Sequence, residues 1–207
     1  DIYIHEKRQI IDDIKNLLSE DNEILCYKEG EILDNGPLRF TVKLEFNPMN
    51  VKGDTTVVET RVITLDAGSH LNRTTITYNN LQESLPVVTG IVLHDTIGAI
   101  VADAKSGYMT YVDPTTGPGQ GQIFVGAAFP EDVNEAKPVR FSDEERRRRN
   151  NAYGHVLSYS EYEPNDEYVY YWGFAWDQAD IQTAEAWDEY MKAFAKKVRN
   201  PLEVKLK

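Results

Sequence analysis

Between residues 168 and 176 every second side chain is aromatic: Tyr168, Tyr170, Trp172, Phe174 and Trp176. A helix would scatter these rings around its axis, whereas a strand, with its two-residue period, puts all five on one face. The segment is therefore read as a strand with an entirely aromatic side, and such a side must be laid against something. Packing into a core, cover by a helix, or a ligand with apolar faces would each satisfy it.

Further strands surround it in sequence. After the turn signal Asp34-Asn35-Gly36-Pro37, residues 39–46 alternate Phe40, Val42, Leu44 and Phe46 with Arg39, Thr41, Lys43 and Glu45, the pattern of a half-buried strand. Residues 55–65 are rich in β-branched side chains, and 72–78, 86–93, 107–112, 122–129 and 154–159 are bounded by glycine, proline, asparagine or aspartate. Residues 113–121 and 131–152 are read as loops, the second with one helical turn.

Two helices frame this series. Ile10, Ile11, Ile14, Leu17 and Leu18 have helical spacing, and a longer amphipathic pattern runs from Ala184 to Val198, with Thr183 as N-cap and Pro201 beyond its end. The expected architecture is a mainly β, twisted antiparallel β-sandwich with a helix near each end, rather than alternating βαβ units. Residues 1–25 form an N-terminal helical segment and residues 26–207 the sandwich domain.

Charge and composition narrow the partners. A formal charge of -12 repels polyanions, so nucleic acid and anionic membrane surfaces are not expected partners. No apolar run is long enough for membrane insertion, and the opening residues lack the basic-then-apolar order of a signal peptide. Cys26 is the single cysteine, which excludes an intrachain disulfide and a thiolate metal cluster. No metal ligands are assigned, and the residues indicate no particular cofactor.

The segments DNGPLRF (34–40), RVITLDAGSHLNRTTITY (61–78), GIVLHD (90–95), GHVLSY (154–159) and YYWGFAWDQADI (170–181) together resemble the bacterial family of unknown function DUF 4861. The resemblance covers residues 26–207. It implies a secreted or periplasmic Bacteroidetes protein, encoded beside enzymes that degrade pectin, alginate and other uronate polysaccharides, and thus a part in polysaccharide utilisation. It also implies the large two-sheet supersandwich of sugar mutarotases and some polysaccharide lyases, incomplete here at the N-terminal side. Family members carry a β-rich portion ahead of the DNGPLRF segment, where this chain has its helical pattern. Either missing strands come from a partner chain that completes the sandwich, or that portion is replaced or absent.

The expected ligand is an oligosaccharide or polysaccharide. Trp172, Trp176 and Tyr170 are the candidate stacking residues, because sugar rings present apolar faces to indole and phenol rings. A lyase acting beside a uronate carboxylate needs a base and a cation, a set that His155, Tyr159 and Arg61 would supply. His155 and Tyr159, four apart on one strand, would share a face about 13 Å apart. His94 is a further acid or base candidate. A hydrolase needs opposed carboxylates, for which Asp66, Asp95 and Asp177 are candidates, Asp177 before the others because Asp66 suits a turn. Each histidine also has a bland alternative as a hydrogen-bonded strand-end side chain. The run Arg146 to Arg149 follows Asp143, Glu144 and Glu145 and reads as a solvated helical turn. A non-catalytic glycan-binding protein using only the aromatic face is the alternative to an enzyme.

Overall fold

The computed structural model describes residues 27–114 and 119–202. The helical segment expected over residues 1–25 lies outside them. The described strands are β1 (Tyr27–Asn35), β2 (Arg39–Phe46), β3 (Met49–Val51), β4 (Asp54–Asp66), β5 (Leu71–Asn79), β6 (Leu85–Leu93), β7 (Ile100–Asp103), β8 (Tyr108–Asp113), β9 (Ile123–Ala128), β10 (Glu135–Arg140), β11 (Gly154–Tyr162) and β12 (Tyr168–Trp176). The helices are α1 (Asp143–Arg148) and α2 (Ala184–Arg199).

All pairings are antiparallel. The large sheet runs β1-β2-β4-β5-β12-β9-β8-β7, with β3 branching from β4, and the small sheet runs β10-β11-β6. The last strand in sequence thus sits in the middle of the large sheet, where both of its edges are paired. On the aromatic face the register sets Trp172 opposite Asn72 and Ala127. Small neighbours leave room for large side chains.

The large sheet is covered on both sides, but unequally. One face packs on α2, whose buried Trp187, Met191 and Ala195 meet Leu71, Tyr108, Phe124, Ala128 and Ala175. On the other face β10 lies over β7, β11 over β7 and β8, and β6 over β8 and β9. Ile91, Leu93 and Val156 pack there on Met109, Tyr111, Ala127 and Phe129, and a second cluster joins Val57 to Leu81, Val87 and Tyr162. The fold is a mainly antiparallel β structure consistent with a β-sandwich, its second layer narrower than its first.

The alternating strands and the C-terminal helix lie where their patterns predict, and the Thr183 hydroxyl accepts from Ala186 N at 3.1 Å as the N-cap. Helix α1 carries a capping box between Ser142 and Glu145 and an Arg148–Glu144 pair at 2.9 Å, as a solvated turn should. One reading needs correction, and one strand is an addition to it. Residues 131–152 hold β10, whose Lys137, Pro138 and Arg140 suit an edge strand that donates to one neighbour only. Residues 27–35 form β1, likewise an edge, whose charges obscure any alternation.

Candidate functional site

Because the small sheet ends at β6, the inner face of the large sheet continues beyond it, and a cleft of about 640 Å³ opens between the two. Strands β4, β5 and β12 bring Arg61, Tyr78, Tyr168, Tyr170 and Trp172 to it, while His94 and Asp113 reach it from just beyond the end of β6 and from the end of β8.

The aromatic face of β12 is divided by this arrangement. Tyr168 and Tyr170 pack beside the small sheet, and the Tyr168 hydroxyl lies 2.8 Å from Thr89 Oγ1. Trp172, Phe174 and Trp176 emerge beyond it with 40%, 61% and 43% of their surface exposed. Neither exposed indole is loose: Trp172 Nε1 donates to Thr74 Oγ1 at 2.8 Å and Trp176 Nε1 to Gln120 O at 2.9 Å. With their N–H groups engaged, the rings offer faces for stacking. Core packing and an accessible platform, alternatives at the level of sequence, hold for different halves of the same strand.

Beneath the cleft lies a polar cluster. Glu59 is 1% exposed and accepts from Arg61 Nε, whose guanidinium also sits 4.9 Å from the centroid of the Phe46 ring. Burial, followed by the Glu59 carboxylate, raises the Tyr78 pKa well above the usual phenol value. Burial also raises Tyr170, although the nearby Arg61 charge opposes it. Tyr170 therefore keeps its proton at neutral pH and is a donor rather than a base.

His94 Nδ1 lies 2.6 Å from Asp113 Oδ2. An ionised Asp113 holds the ring proton on Nδ1, leaving Nε2 as the basic nitrogen. The backbone around this pair is braced: the Tyr111 hydroxyl donates to Asp95 at 2.9 Å, Asp95 accepts from Gly98 N at 3.0 Å, and Arg140 Nη1 donates to Asp95 O at 2.8 Å. Burial, aided by Asp95, pushes Tyr111 up to about 12.

Four of the sequence candidates thus line one cleft: Arg61, His94, Tyr170 and Trp172. Trp176 continues the row on β12. The grouping of His155 and Tyr159 with Arg61 is not what the fold produces. His155 and Tyr159 do share a face of β11, but Val156, Ser158 and Ser160 are the residues buried toward the large sheet, so that face is the outer one. There His155 meets the Phe141 ring edge-on at 5.0 Å, and Lys137 lies over the Tyr159 ring.

Of the three carboxylates proposed for a hydrolase, Asp66 and Asp95 are engaged in separate hydrogen bonds, while Asp177 Oδ1 is buried with no hydrogen-bond partner among the described residues. Asp66 makes a two-point pair with Arg39, Oδ1 to Nε at 2.5 Å and Oδ2 to Nη2 at 2.8 Å, rather than capping its turn through its side chain. Asp95 holds the loop after β6, and Asp177 is packed against Gly121, where a Cβ would lie 2.0 Å from Oδ1. Sequence reading missed Asp113, Glu59, Tyr78 and Thr74. Their signal lay in cross-strand registers, such as Glu59 opposite Tyr78 in the β4–β5 hairpin, and one dimension does not display those. Among the described residues no three His, Cys, Asp or Glu side chains gather to hold a metal ion, and no helix is long and apolar enough to cross a membrane.

Comparison with known proteins places this fold in context. The chain is 24% identical over 181 residues to "Uncharacterized protein P7" of Formosa agariphila, an alignment covering 87% of this chain and 42% of that protein. It therefore spans less than half the length of the curated relative that it matches. The model of DUF4861, a domain of unknown function, matches residues 15–204, and the chain belongs to that family.

Proposed function

We propose that this chain is a carbohydrate-active protein that binds uronate-containing oligosaccharides of plant or algal cell walls along β12 and acts on them in the adjoining cleft, as a lyase or hydrolase. The observation that carries the reading is the exposed row Trp172, Phe174, Trp176, with both indoles held by hydrogen bonds, leading into a cleft that contains a cation and a histidine–carboxylate pair. Successive rings on one strand face are about 7 Å apart, a spacing suited to consecutive sugar units.

In the lyase form, Arg61 pairs with the uronate carboxylate and His94 Nε2 removes the proton beside it. The electron pair left behind forms the carbon–carbon double bond and expels the glycosidic oxygen, which Tyr170 protonates. Such polymers lie outside the cytoplasm, so a secreted or periplasmic location and a role in polysaccharide utilisation go with this reading.

The second reading is a non-catalytic glycan-binding or accessory protein. It is favoured by the Glu59–Arg61 pair, which offsets the charge that a lyase would direct at an enolate. Incubation with pectic and alginate oligosaccharides distinguishes the outcomes. New ultraviolet absorbance from an unsaturated uronate identifies a lyase, and new reducing ends without it a hydrolase. Calorimetric binding without either product identifies a binder. Absence of both binding and turnover would remove the carbohydrate reading.

A further inference from the structure

The strands that border the two sheets differ in how they are protected. Strand β1 carries Lys28, Glu29, Glu31 and Asp34 and two register irregularities, β7 is four residues long, β3 three, and β10 carries Glu135, Lys137, Pro138 and Arg140. Charges, proline, bulges and shortness are the usual devices that stop an edge from pairing. Strand β6, LPVVTGIVL, has nine residues and no charge, and its one proline is at the second position, so Val87 to Leu93 run uninterrupted. Its outer side chains Val88 and Val92 are 51% and 41% exposed. Among the described residues nothing pairs with its free side.

The large sheet projects past this edge. Its inner face there shows Trp172, Phe174 and Trp176 and, farther out, Leu65, Phe40 and Ile32, all exposed apolar side chains brought to one face by the registers of β1, β2 and β4. Packed sheets lie about 10 Å apart and paired strands about 4.8 Å, so the layer beyond β6 has room for one further strand beside β6 that leaves the outer rings of β12 uncovered. A two-fold copy joined antiparallel through β6 does not fit, because its own large sheet would fall on this projecting one.

We propose that β6 is a strand-acceptor edge, and that its occupant is an extended, alternately apolar segment of a longer polypeptide of the kind represented by the Formosa protein, more than half of which lies outside the matched region. The added strand extends the small sheet and becomes the second wall of the cleft. The inference does not rest on the carbohydrate reading: pairing uses the backbone of β6, and stacking uses the ring faces of β12.

Amide hydrogen exchange tests it on two existing proteins. In this chain the free-side amides of β6 should exchange at least roughly a hundredfold faster than those of β11, and solution mass should show a monomer. In the full-length Formosa protein the strand aligned with β6 should be protected like a central strand. Lysines at the positions aligned with Val88 and Val92 should lower that protein's melting temperature, while Val88→Lys with Val92→Lys should leave this chain's unchanged. Free-edge exchange in the Formosa protein, or a dimer of this chain that protects β6, would overturn the proposal. Ring substitutions on β12 alter oligosaccharide binding without changing β6 exchange, so the two readings fail separately.

Discussion

His94 Nδ1 and Asp113 Oδ2 are 2.6 Å apart at the end of the cleft, joining the loop after β6 to the end of β8. The pair orients an imidazole that is otherwise open to solvent, and its value lies in which nitrogen carries the proton. Asp113→Asn should therefore lower turnover of a uronate oligosaccharide by roughly ten- to a hundredfold with little change in KM, because the amide no longer enforces the Nδ1–H tautomer. An unchanged kcat would show that His94 is not the base.

Trp172 and Trp176 are held by hydrogen bonds with their faces accessible, so each should contribute to ligand affinity mainly by stacking. Trp172→Ala and Trp176→Ala are expected to weaken oligosaccharide binding by roughly tenfold each, measured by calorimetry, with Phe substitutions recovering part of the loss.

Glu59 is sealed beneath the cleft, and Arg61 supplies its compensating charge. Arg61→Ala leaves a buried carboxylate alone and should destabilise the fold by about 3 kcal/mol in urea unfolding. The double substitution Glu59→Gln with Arg61→Met should restore most of that stability without restoring uronate binding, which separates the structural role of the pair from recognition.

Burial, and secondarily the Arg149 charge, depresses the His155 pKa below the ordinary imidazole value of 6.5. As pH falls, the unfolded chain takes up this proton first. The contribution of neutral His155 is therefore complete above about pH 6.5 and shrinks as pH drops through that value toward the folded one. His155→Gln should flatten this part of the urea-midpoint profile while leaving oligosaccharide binding unchanged, since His155 faces away from the cleft.

At Gly126 an added Cβ would lie 2.8 Å from Met191 Cε and 3.0 Å from Trp187. Gly126→Ala should cost about 1–3 kcal/mol through overpacking of α2 on the sheet, seen as a lower melting temperature. Gly126→Ala with Met191→Leu should recover part of it.

Local elements were legible from the order of residues alone. Period-two alternation in 39–46 and 168–176 could satisfy only strands with two unlike faces, and Thr183 with the stripe from Ala184 to Val198 could satisfy only a capped amphipathic helix. Edge strands such as β1 and β10 escaped because the charges and proline that block further pairing take the place of alternation.

Which faces meet emerged with the three-dimensional packing. The parity of β11 turned His155 and Tyr159 outward, the pairing of β4 with β5 set Glu59 opposite Tyr78, and the fold joined His94 to Asp113. It also decided that β12 is half core and half platform, because the extent of the small sheet sets where cover stops. Long-range strand order follows from the summed burial of many faces at once, a quantity that no single segment encodes.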